Sequence, residues 1–88
     1  MPMNPVSLDP EHTLDGIEEV LQNLDRHGAE LVLDLSSVRR IDAGALRAME
    51  KLAAVADEKA VKVVLSGVNI DVYKVLKLMN LAPRFSFV

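Results

Sequence analysis

The chain has 88 residues, half of them hydrophobic, and carries a net charge of −3 from 10 Lys and Arg against 13 Asp and Glu. That length holds one domain, residues 1–88, and leaves no room for a second core. The absence of cysteine excludes a disulfide framework, a cysteine-ligated zinc site and a thiol nucleophile, and the acidic balance argues against a broad electrostatic grip on nucleic acid. Met1–Pro5 carries two prolines and reads as an irregular lead-in. Val6–Leu8 is predicted as a short strand. Asp9-Pro10-Glu11 suggests a helix start, with Asp9 as N-cap and Pro10 in the first helical position; Thr13 competes for the cap. Leu14, Ile17, Leu21 and Leu24 then recur on one helical face. His27 suits the last turn electrostatically, and Gly28 suits a left-handed position after it.

Glu30–Leu35 reads as a buried strand and Ser36–Ile41 as a polar loop. Asp42 caps a second helix to about Lys59, with Leu46, Met49, Leu52, Ala53 and Ala56 facing inward. Val61–Ser66 is almost continuously apolar and β-branched, the mark of a strand covered on both faces. Gly67 ends it. Asn69 or Asp71 caps a third helix to about Met79, with Val72, Val75, Leu76 and Met79 inward and Asn80 in a left-handed position beyond. Phe85–Val88 is a last short strand. With only Tyr73, Phe85 and Phe87 as aromatics, the core is aliphatic. Strands alternating with helices imply an α/β sandwich: a mixed, mostly parallel sheet of about four strands with three helices.

Catalytic motifs are missing. No Gly-rich phosphate loop, GxSxG or HExxH occurs, so no enzyme, cofactor or metal is expected. His12 sits near Asp9, Glu11 and Asp15, a grouping explained by the preference of acidic residues for a helix N-terminus. Asp34 ends a buried strand as a phospho-accepting aspartate does in a receiver domain, but nothing upstream supplies the acidic pair such a domain needs. No apolar run approaches the ~18 residues that cross a bilayer. No basic region followed by an apolar stretch opens the chain, so a soluble, cytoplasmic protein without direct membrane insertion is expected.

The informative segment is Leu31–Leu46, LVLDLSSVRRIDAGAL. A buried strand delivers the chain into a polar loop, which leads into a helix whose first turn is Ala43-Gly44-Ala45. Small side chains there either let a partner approach the helix mouth or let the loop pack on the sheet. This segment resembles the signature of STAS domains, the family of bacterial anti-sigma factor antagonists: apolar-apolar-D-L-S-x-V-x-x-I/M-D-S/T-x-G-L. VKVVLSGVNIDVYKVLKLMNL is similar to the family's second half, and Ser7-Leu8-Asp9 to its upstream Gly-x-Leu-Asp. Gly67-Val68-Asn69 and Tyr73 are especially similar to the STAS subunit of Mla-type phospholipid ABC transporters.

The resemblance implies a non-catalytic module that binds an anti-sigma factor of the ATP-binding kinase type. The alternative is a regulatory subunit that binds the ATPase of a lipid-transport ABC system. The implied partner surface is Ser36, Ser37, Arg39, Arg40, Asp42, Ala43, Gly44, Ala45 and Arg47. Regulated members carry a phosphorylatable Ser or Thr just after the loop aspartate; Asp42 matches the aspartate, but Ala43 follows and offers no hydroxyl. Ser36 and Ser37 are expected to make local turn hydrogen bonds instead of replacing that acceptor. Arg39 and Arg40 form either a small positive spot or a pair of solvated loop side chains. The family's first strand is reduced here to Met3–Leu8 and its last helix is not seen after Phe87, so homodimerisation or a covering partner is expected.

Overall fold

The computed structural model describes residues 6–88; the lead-in Met1–Pro5 and the Met3–Pro5 part of the first strand lie outside them. The elements in chain order are β1 (Val6–Ser7), α1 (Thr13–Gln22), a 3₁₀ turn (Leu24–His27), β2 (Glu30–Asp34), α2 (Ala43–Glu58), β3 (Lys62–Ser66), α3 (Ile70–Leu78), a second 3₁₀ turn (Ala82–Arg84) and β4 (Ser86–Phe87). The strands lie side by side in sequence order, β1-β2-β3-β4. All three pairings are parallel, so the sheet expected as mixed, mostly parallel is parallel throughout the described residues. β2 and β3 are in register over five pairs, from Glu30↔Lys62 to Asp34↔Ser66.

Side chains alternate across a strand, and burial in β2 follows that alternation, whereas in β3 Val63, Val64 and Leu65 are all buried. Leu31, Leu33 and Leu35 are fully buried, and Val63 and Leu65 lie beside the first two in register. These residues share one core cluster with Ile17 and Val20 of α1, six residues of α2 and Val72 and Leu76 of α3. Right-handed crossovers between strands taken in sequence order place successive helices on the same face, which matches that single cluster. The opposite face carries Val32 and Val64 with Ser86, and Ser7, Asp34 and Ser66 in the next row.

The core-facing side of α2 is mostly small: Ala45, Ala48, Ala53 and Ala56 are buried around Met49 and Leu52. The four alanines let the helix axis approach the sheet, while Met49 and Leu52, fully buried, fill the remaining space. Truncating a leucine in such a site costs roughly 2–5 kcal/mol. α2 and α3 end alike. The amide of Val61 donates to Ala56 O (2.8 Å) and that of Leu81 to Leu76 O (2.8 Å), with Ala60 (φ +56°) and Asn80 (φ +59°) in the left-handed position. Asn80 was predicted there; Ala60 was not, since alanine carries no tolerance for that conformation. At the sheet edge Tyr73 of α3 meets Phe87 of β4 edge to face, with ring centroids 5.2 Å apart.

Three local expectations are corrected. Asp9-Pro10 does not start α1. Asp9 Oδ1 accepts the amide of Glu11 (2.9 Å), and its carbonyl accepts the amide of His12 (3.0 Å) and the hydroxyl of Thr13 (3.1 Å), so Asp9–His12 forms a turn and the helix begins at Thr13. The buried line is accordingly Ile17, Val20 and Leu24, and Leu14 is 39% exposed. Met79 is 47% exposed, because α3 closes at Leu78 and the chain turns away through Asn80. Gly28 has positive φ as expected, but with ψ −137° it occupies the mirror-image extended region, open to glycine alone, and not a helical left-handed cap.

Candidate functional site

Parallel strands point the same way, so the loops after β1, β2 and β3 gather at one end of the sheet. The middle loop, Leu35 to Asp42, holds most of the residues marked out by sequence, and its conformation is fixed from below. Leu35 prolongs the strand: its amide donates to Ser66 O (2.8 Å) and its side chain is fully buried. Asp34 Oδ1 accepts the amide of Ser36 (2.9 Å). The amide of Val38 donates to Leu35 O (2.9 Å), and the Val38 side chain, 1% exposed, plugs the core beneath the loop.

The neighbouring loops clamp it from both sides. The amide of Leu8 after β1 donates to Asp34 O (3.0 Å). After β3, Gly67 turns with φ +69° and lies so close to Ser36 that a Cβ there would stand 2.9 Å from Ser36 Cβ. Asn69 uses both ends of its amide. Its Oδ1 accepts the amide of Val72 (2.8 Å) and so caps α3; its Nδ2 donates to the carbonyls of Val38 and Arg39 (3.2 Å each). Two loops about thirty residues apart in sequence are thereby held as one body. Asn69 as a cap was legible in the sequence. Its grip on Val38 and Arg39 was not, since no short-range pattern encodes that contact.

The second helix opens as expected. Asp42 takes an extended conformation, its Oδ1 accepts the amide of Ala45 (2.8 Å), and its carbonyl accepts the amide of Leu46 (2.9 Å). One of the donors at the helix mouth is thus consumed by Asp42 itself. Ser36, Ser37, Arg39, Arg40, Asp42, Ala43 and Arg47 are exposed, and Gly44 is half-buried. Ala45 differs from the expectation: it is 2% exposed, so it supports the surface from inside and presents nothing to a partner. At Gly44 a Cβ would meet Asp42 Oδ1 and Leu14 Cδ2, each at 3.6 Å, so the small residue brings α1 and α2 together without strict need for glycine. Between the two helix starts lies a hollow of about 450 Å³ lined by residues including His12, Leu14, Arg40 and Asp42. A shallower one of about 300 Å³ continues along Leu14, Leu21, Gly44 and Arg47.

The hydrogen bond from the Ser36 amide is the largest cause that holds the Asp34 carboxyl below its ordinary pKa. Arg39 and Arg40 form no ion pair among the described residues, whose pairs are His12–Asp15 (3.9 Å), Lys59–Asp25 (2.6 Å) and Arg84–Asp57 (3.1 Å). No group of three or more His, Cys, Asp or Glu that could hold a metal occurs among the described residues. No helix is long and apolar enough to cross a membrane, again among the described residues.

Comparison with known proteins identifies this arrangement. The sequence profile described as "Mlab, STAS domain" matches residues 5–83. Among solved structures, the chain is similar to the crystal structure of a candidate anti-sigma factor antagonist, TM1081, from Thermotoga maritima. The TM-score is 0.74 at 23% identity, over 97% of this chain and 74% of the other. The NMR structure of the protein TM1081 aligns with a TM-score of 0.71 at 23% identity, over 98% of this chain and 70% of the other. No curated protein matches. The profile spans nearly the whole chain, and the parallel four-stranded sheet with its three helices is the fold of those structures: the chain belongs to the STAS domain family.

Proposed function

We propose that this STAS domain is a non-catalytic interaction module that docks on an anti-sigma factor of the ATP-binding kinase type. The docking surface is the exposed part of Ser36–Gly44 at the start of α2, supported from inside by Ala45 and flanked by Arg47. The observation that carries this reading is the loop itself, exposed at its tip yet held from below by Val38, Asp34, Gly67 and Asn69. A surface ordered before binding loses little conformational freedom on association, which favours recognition. The likeness to a candidate anti-sigma factor antagonist supports the choice of partner. Ala43 stands exposed where regulated relatives carry a hydroxyl, so release by phosphorylation at that position does not operate.

A second reading is favoured by one observation, the match to the Mlab-type profile: the same surface binds the ATPase of a lipid-transport ABC system, where Ala43 needs no kinase. Both partners are cytoplasmic, and so is the chain in either reading. Homodimerisation, or cover by the partner, would bury Ile70 (68% exposed), Leu78 (82%) and Val88 (80%). A strict monomer in light scattering at high concentration removes the homodimer.

Affinity capture from the native host, with mass spectrometry, distinguishes the partners. With the captured partner purified, Ala43→Glu tests the surface. A carboxylate at the first helical position is favoured by the helix dipole, so the fold is expected to stand. A new charge buried at the contact is expected to weaken binding at least about tenfold. Unchanged affinity sends the interface to another face. Phosphate appearing on Ser36 or Ser37 after incubation with ATP and a cognate kinase would overturn the absence of a switch.

A further inference from the structure

The docking surface proposed above rests on one side chain outside it. We infer that Asn69 is the positioning residue of that surface: its amide group fixes the loop in its binding conformation and makes the loop and the start of α3 move as one unit. This rests on the proposed docking reading and deepens it. The geometry separates two jobs within one side chain. Oδ1 serves α3 through the amide of Val72 at 2.8 Å. Nδ2 serves the loop through the carbonyls of Val38 and Arg39, both at 3.2 Å. Those two carbonyls straddle the point where the loop changes character. Val38 is anchored in the core, whereas Arg39 and Arg40 project to solvent with no ion-pair partner among the described residues. Beyond Val38, and among the described residues, the loop has no backbone hydrogen bond to another segment until Asp42 opens α2, apart from these two contacts with Asn69. Arg39 and Arg40 are therefore held between Val38 and Ile41, which pack on the core, and Nδ2 supplies the polar contacts at the start of that span.

A partner that reads the arginines together with the exposed Ala43 meets them in fixed relation only while Asn69 donates. Asp in place of Asn separates the two jobs. A carboxylate keeps the acceptor for Val72 and is a good N-cap. It has no N–H to give, and it sets a negative oxygen against two carbonyl oxygens. Asn69→Asp is thus expected to leave the helical α3 amides protected while the loop loosens.

The test uses the full chain and two readouts. Amide hydrogen exchange reports the clamp: in Asn69→Asp the amide of Val38, which donates to Leu35 O at 2.9 Å, is expected to exchange about tenfold faster, with those of Val75 and Leu76 unchanged. Affinity for the partner recovered by capture is expected to fall about tenfold, with a smaller loss of melting temperature than in Asn69→Ala. Asn69→Ala, which removes both contacts, is expected to lower affinity and also the melting temperature. If Ala43→Glu weakens binding but Asn69→Asp leaves both exchange and affinity as in the parent, the positioning role is wrong and the docking surface stands. If Ala43→Glu has no effect while Asn69→Asp speeds loop exchange, the clamp stands and the docking surface falls. A loosened loop with unchanged affinity refutes the role in binding.

Discussion

Gly67→Ala probes the tightest point of the site. Two costs add at this position. The backbone has φ +69°, a conformation that disfavours an L side chain by about 1–2 kcal/mol. The new methyl would stand 2.9 Å from Ser36 Cβ, 3.1 Å from Ser36 Cα and 3.2 Å from Ser36 N. Two of those atoms belong to backbone held by the Asp34 carboxylate and the Ser66 carbonyl on either side, so the loop has little room to yield. Overpacking of this kind costs typically 1–3 kcal/mol. The sum, about 2–5 kcal/mol, is a large part of the roughly 4–13 kcal/mol expected for a domain of this size. It corresponds to a loss of about 10 °C or more in melting temperature.

Urea unfolding followed by circular dichroism measures the cost. A double-mutant cycle with Ser36→Gly assigns it: deleting Ser36 Cβ removes the 2.9 Å contact and leaves the other two, so a coupling of about 1 kcal/mol is expected, with incomplete rescue. A Gly67→Ala protein as stable as the parent, or a cycle with zero coupling, refutes the close approach as the reason for glycine here.

Further outcomes follow from the caps and the Asp34 turn. Ala60→Gly relieves a left-handed alanine at the end of α2 (φ +56°) and is expected to raise stability by about 1 kcal/mol, measured by chemical unfolding; a loss would contradict the assigned geometry. Asp42→Ala removes the acceptor for the Ala45 amide and is expected to cost about 1 kcal/mol, read as a lower urea midpoint at unchanged slope. Asp34 has a folded pKa held below its ordinary 3.8 by the Ser36 amide first. Its ionisation therefore stabilises the fold above the unfolded pKa, and that contribution is lost as pH falls from there through the folded pKa. Asn at position 34 keeps an acceptor but cannot titrate, so the stability gap between parent and Asp34→Asn is expected to narrow below about pH 4. A gap independent of pH in acid unfolding would remove the Asp34 turn as its source.

The fold was largely legible because period and punctuation agreed. The β-branched run at Val61–Ser66, the apolar run at Leu31–Leu33 and the caps Asp42 and Asn69 each point to the element found. The misreadings share a cause. Asp9-Pro10 carries the same local signal for a turn as for a helix start, and only the hydrogen bonds of Asp9 to Glu11, His12 and Thr13 decide between them. Met79 fits the inward period of α3, but the helix closes before that period can act. Ala45 was read as surface because its neighbours are; one helical step turns it to the sheet. The parts of the site that sequence did not reveal, Gly67 against Ser36 and Asn69 on Val38 and Arg39, are contacts between loops far apart in the chain. Residue type marks such positions as turn or cap and is silent about what lies across from them.

The sequential order of the strands has a mechanical consequence. Among the described residues each strand pairs only with the next in sequence, with five register pairs joining β2 to β3 and two joining β3 to β4. The sheet therefore has a firm β2–β3 middle and a weakly fastened β4 rung, which opens before the middle when stability is graded across the sheet. A ligand seated across the ends of β1, β2 and β3 would act as a tie bar, raising the opening cost of the β1 rung while leaving β4 free to fray.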